Sequence, residues 1–162
     1  IYIAVFLLKV SSSFTQVIQN KHILPNVLNM ASGIDYTSEG NLWLINDHGP
    51  PVLYNLNEST FKINRTIYLN NRKVDWEDLA VDGNNNFYIG DFGNFYNNRK
   101  NLTIYKIPNP DSITEQIITA DVIRFNLSDQ KAFPPDSSNF DFDIKSMIHF
   151  GNHLYLTGSD WK

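Results

Sequence analysis

Three carboxylates fall within four residues at Asp75-Trp76-Glu77-Asp78. Like charges that close repel one another unless a cation, a proton or hydrogen-bond donors neutralise them. A second polar group, Asp91-Phe92-Gly93-Asn94, ends the next apolar run. Antiparallel pairing sets the start of one strand beside the end of its partner. Asp75, Glu77, Asp78, Asp91 and Asn94 are therefore expected to gather at one edge of a sheet. Asn46, Asp47 and His48 are expected at the matching edge of an earlier unit. Asp141 and Asp143, with Ser159 and Asp160 opposite, are expected at that of a later one. Hard oxygen ligands of this kind suit Ca²⁺ better than a transition metal, which makes Asp47, Asp75, Glu77, Asp78 and Asp91 the candidate ligands. His48 is a candidate general base. Arg99, in the loop after Asp91, can pair with a carboxylate or, with Asn94, hold an anionic substrate group. The same residues have a plainer reading: Asp and Asn favour turns, Trp76 suits a packed core, and a histidine in a turn is usually solvated.

Other chemistries are absent from the sequence. With no cysteine there is no disulfide, thiolate metal site or cysteine nucleophile. Neither a Gly-rich phosphate loop, a His-Glu-x-x-His pair nor a Gly-x-Ser-x-Gly elbow occurs. A net charge of -4 gives no electrostatic footprint for nucleic acid, and no Lys/Arg run suggests an anionic membrane surface. Asn-x-Ser/Thr sequons begin at Asn57, Asn64, Asn101 and Asn126, which matter only in a glycosylating secretory pathway.

The elements that must position these residues read as short strands. Runs at 30–36, 41–46, 51–56 and 64–69 are rich in β-branched or aromatic residues and bounded by Gly, Pro, Asn or Ser. A comparable set follows at 77–81, 86–91, 102–107 and 122–126, and a third opens at 145–150 and 153–157. Asn41-Leu-Trp-Leu, Asn86-Phe-Tyr-Ile and His153-Leu-Tyr-Leu read as versions of one strand. Self-similarity at four strands to a unit predicts an all-β fold of β-propeller type, with about two and a half four-stranded blades in this chain. A β-sandwich is the alternative. The apolar run Ile1–Leu8, followed by small polar residues, reads as the remnant of a signal peptide over 1–16. Residues 17–162 then form the first part of the propeller domain, and the protein is expected to be secreted, periplasmic or at the cell surface, with no membrane insertion once the signal is removed.

These motifs resemble a group of exported bacterial propeller proteins. The resemblance rests on Ser32-Gly33, Trp43 with Asn46-Asp47-His48-Gly49, Asp75-Trp76-Glu77-Asp78, and Ile89-Gly90-Asp91-Phe92-Gly93-Asn94 with Arg99. More distantly the chain is similar to six-bladed gluconolactonase-like and phytase-like esterases. Where the group has Glu at the start of the third unit, this chain has Lys145, which would put a positive charge in the place of a ligand. The resemblance implies an exported propeller, of six blades in the more distant relatives, and the acidic residues add the expectation of a divalent cation, Ca²⁺, at the rim. If the protein is an enzyme, hydrolysis of a phosphoester or lactone is the expected class, with the acidic residues holding the metal, Arg99 orienting the substrate and a metal-bound water attacking. The rival expectation is a non-catalytic extracellular module whose rim binds a small ligand, glycan or protein while the acidic motifs brace the blades.

Overall fold

A computed structural model describes residues 23–136 and 142–158. The expected signal remnant over 1–16, and the candidates Asp141, Ser159 and Asp160, lie outside these residues. The chain is all-β, with eleven strands among the described residues. β1 (Ala31–Tyr36), β2 (Leu42–Asn46), β3 (Val52–Leu56) and β4 (Ile63–Leu69) form one antiparallel meander. β5 (Trp76–Val81), β6 (Phe87–Asp91), β7 (Leu102–Ile107) and β9 (Asp121–Phe125) form a second. β10 (Ile144–Phe150) and β11 (His153–Gly158) form a hairpin.

One strand escapes the sequence reading. β8 (Ile117–Ile118) adds to the edge of the first sheet by parallel pairing with β4, so that sheet has five strands rather than four. Two residues are too few for a periodic signal, and the strand exists because Tyr68 N–H donates to the Gln116 carbonyl and Asn70 N–H to that of Ile118. No helix among the described residues is long and apolar enough to cross a membrane.

Burial explains the continuous apolar runs of the middle strands. Every residue of β2, β3 and β6 is buried, as expected of strands covered on both faces. Trp43 and Ile45 of β2 pack with Trp76, Leu79, Phe87 and Ile89 of the second sheet. Leu42 and Leu44 point the other way, into a smaller cluster closed by Leu24 and Leu28. The opposite face of the second sheet meets Ile144 and Met147 of β10 through Ala80, Tyr88 and Phe92.

The first strands of the three sheets lie side by side, with β5 between β1 and β10. β1 and β5 approach so closely that a Cβ on Gly33 would fall 2.6 Å from the Leu79 backbone nitrogen. Glycine is required there by space rather than by dihedral angle. The Ser32 hydroxyl adds a hydrogen bond to the Trp76 carbonyl across the same seam.

Candidate functional site

Each first strand breaks register near its start. β1 shifts between Ala31 and Ile34, β5 between Trp76 and Asp78, and β10 between Ile144 and Ser146. Such irregularities leave a residue unpaired and re-aim its side chain. The residues left without a cross-strand partner are Ser32 and Gly33, Glu77, and Lys145. The acidic motif thus sits on the strand between two neighbours, with Glu77 and Lys145 turned from corresponding irregular positions.

Lys145 Nζ meets Glu77 Oε1 in an ion pair and lies 3.0 Å from Asp143 Oδ2. Asp75 comes to the same place: a Cβ on Gly93 would stand 2.2 Å from Asp75 Oδ2 and 2.5 Å from Glu77 Oε1. Only glycine leaves room for both carboxylates. Burial raises the carboxyl pKa of Asp75, and the charge of Asp47 adds to the rise. Burial likewise raises Glu77 against the opposing pull of Lys145. Burial alone would lower Lys145, but the bonds and charges of Glu77 and Asp143 carry its pKa upward. Among the described residues the Asp75 carboxylate has no hydrogen-bond donor.

Asp91 is placed differently. Only 1% of its side chain is exposed, and its oxygens accept from the Val74 and Asp75 amides at 3.0 and 2.9 Å. Arg99 completes the set with an ion pair of 2.9 Å. The Arg99 guanidinium also donates to the carbonyls of Gly93 and Asp91. Asp91 and Arg99 therefore pin the 91–101 loop beneath the acidic motif. Asn94 extends the same lattice, donating to the Phe142 carbonyl and accepting from Arg99 N–H, while its own amide donates to Asp143.

Asp78 faces the third sheet. Its two oxygens accept from the Leu79 and Met147 amides at 2.8 and 2.7 Å. Burial raises its pKa, opposed by those amides. Asp47 and His48 form a solvent-facing pair of 3.0 Å, with 72% of the His48 side chain exposed.

Lys73 was not singled out by the sequence. Its ammonium donates to the Asn46 carbonyl at 2.7 Å and stands 4.8 Å from the Trp76 ring centroid. Burial lowers its pKa, against the charges of Asp47, Asp91 and Asp75. The sequence also missed Phe95 and Tyr96, whose rings meet edge to face at 5.1 Å. They are 65% and 74% exposed in the loop that Arg99 pins.

Asp75, Glu77, Asp91 and Asn94 are thus linked at one edge through Gly93, the Asp75 amide and Asp143, but they have different partners. Asp75 and Glu77 meet Asp143 and Lys145. Asp91, Arg99 and Asn94 form a loop anchor, and Asp78 reaches β10. No three His, Asp or Glu side chains among the described residues form a group able to hold a metal ion. Calcium takes six to eight oxygen ligands, whereas here the chain's own ammonium stands between Glu77 and Asp143. No protein-family model matches the chain, and neither a curated protein nor a solved structure matches it.

Proposed function

We propose that the chain belongs to an exported, propeller-type binding protein. Its acidic motif braces successive blades, and its rim loops recognise a glycan. One contrast carries this reading: Asp78, Glu77 and Asp91 are occupied by amides, Lys145 and Arg99, while the adjoining loop presents Phe95 and Tyr96 to solvent. Large aromatic side chains seldom stay exposed together without a partner to cover them. Two rings set edge to face offer one flat surface and one edge to the apolar side of a sugar. The exposed Asn98 beside them supplies an amide for hydroxyl groups.

Affinity electrophoresis through gels containing soluble polysaccharides tests the proposal. At least one polysaccharide should retard the protein, and the double variant Phe95→Ala/Tyr96→Ala should migrate freely. Equal retardation of both, or of neither, counts against it.

The Asp75 carboxylate, without a donor among the described residues, favours a second reading. In it a divalent cation draws on Asp75 and Asp47, the charge that most strongly disturbs Asp75 after burial. A Lewis acid there would support hydrolysis of an ester or lactone. This reading requires the chain's thermal stability to respond to Ca²⁺.

A further inference from the structure

A cleft of about 390 Å³ lies at the edge of the second sheet, and neither Phe95 nor Tyr96 lines it. Asn70 and Arg72 line it from the segment joining the first two sheets, Thr103 and Tyr105 from β7, and Arg124 from β9. Arg124 stands opposite Thr103 in the strand register. The two arginines are 52 positions apart in sequence and reach one cavity because β9 returns beside β7.

The walls are fixed in place. The Tyr105 hydroxyl donates to the Arg72 carbonyl. Asn71 brackets Ala120, donating to its carbonyl at 3.2 Å and accepting from its amide at 2.7 Å. The connector is thereby tied to the residue just before β9. Neither Arg72 nor Arg124 has an acidic partner among the described residues. Asp91 reaches the cleft, but its charge is already met by Arg99 and two amides. The cavity therefore carries two uncompensated guanidinium groups, with the amide of Asn70 beside them. Exposed Val74 and Val122 supply apolar wall.

We infer that this cleft binds the anionic group of a small ligand, a carboxylate, sulfate or phosphate taken between Arg72 and Arg124. Guanidinium forks match planar or tetrahedral oxyanions through paired charge-assisted hydrogen bonds. The tyrosine ring and the valines accept the body of the ligand. Asp91 is shared between this cleft and the loop anchor, but the two arginines proposed to hold the anion take no part in the acidic motif or in the Phe95–Tyr96 pair.

Isothermal titration of the purified protein with inorganic phosphate, sulfate and glucuronate at low ionic strength tests the inference. At least one anion should bind saturably with a stoichiometry of about one, as a single built site requires. Arg72→Gln and Arg124→Gln should each weaken that binding about tenfold or more, the scale of a lost hydrogen bond to a charged group. Both side chains are exposed, so both variants should keep the wild-type melting temperature. The tightest anion identifies the source: phosphate a phosphoryl group, sulfate a sulfated ligand, glucuronate an acidic sugar. Absence of saturable binding by all three, or unchanged binding in both variants, overturns the inference.

Discussion

Arg99 and Asp91 form an ion pair of 2.9 Å in which 10% and 1% of the two side chains remain exposed. The pair closes the end of β6 onto the start of β5, because the same carboxylate holds the Val74 and Asp75 amides. A buried carboxylate deprived of its cation is costly, since neither water nor another charge replaces it. Arg99→Ala is expected to destabilise the protein by about 3 kcal/mol, the lower end of the range for a broken buried pair, because two amides remain on Asp91. Asp47→Ala removes the solvent-facing contact with His48 and should cost under about 1 kcal/mol. Urea denaturation of the two variants measures the difference. Equal losses would show that the Arg99 pair is not the anchor described.

Asp111 joins the first two sheets and gives a pH-dependent test. It accepts from the Trp43 indole at 2.9 Å and from the Thr37 hydroxyl. Burial pushes its carboxyl upward, but the bonds from Thr37, Asn41 and Trp43 prevail and depress its pKa. A depressed folded-state pKa gives stability that is present above the unfolded value and lost as pH falls through the folded one. Asp111→Ala also strands the indole N–H of buried Trp43, so it should cost about 1–3 kcal/mol at neutral pH. The difference between wild type and variant should narrow below the ordinary carboxylate range. Thermal melts across acid pH check this, and a constant gap would remove the carboxylate from the account.

Gly33 and Gly83 separate close packing from chain entropy. A Cβ on Gly33 would strike the β5 backbone, at 2.6 Å from Leu79 N and 2.8 Å from Asp78 C, whereas one on Gly83 meets nothing within 4 Å. Gly33→Ala must push β1 from β5 and should destabilise by about 1–3 kcal/mol or more. Gly83→Ala restricts the unfolded chain without a clash and should be neutral or slightly stabilising. Comparing their melting temperatures decides the matter. A tolerated Gly33→Ala would mean that the seam between β1 and β5 is looser than described.

Strands were readable because short apolar runs such as Leu42–Asn46 and Phe87–Asp91 end at Asn, Asp or Gly. β8 was not, because its two residues become a strand only through bonds to β4. Asp75-Trp76-Glu77-Asp78 was conspicuous as a concentration of charge. What neutralises it was not, since Met147 and Lys145 lie 69 and 68 positions from their partners Asp78 and Glu77. Phe95 and Tyr96 looked like two more aromatics in an aromatic-rich chain, and only the hydrogen bonds of Arg99 and Asn94 show why their loop stays at the surface. Arg72 and Arg124 carried no signal at all, because their proximity depends on the return of β9 beside β7.

Glu77, Asp78 and Asp91 are neutralised from within the chain, by Lys145, by backbone amides and by Arg99, which leaves Asp75 as the carboxylate a cation would need. A thermal melt of the protein with and without millimolar Ca²⁺, repeated on Asp75→Asn, tests it most directly. An occupied calcium site at about 100 times its dissociation constant would add roughly 2.7 kcal/mol, or about 5–10 °C for a chain of this size. Wild type should give superimposable curves with and without Ca²⁺. A calcium-dependent rise in wild type that disappears in Asp75→Asn would contradict it and place a cation at the motif.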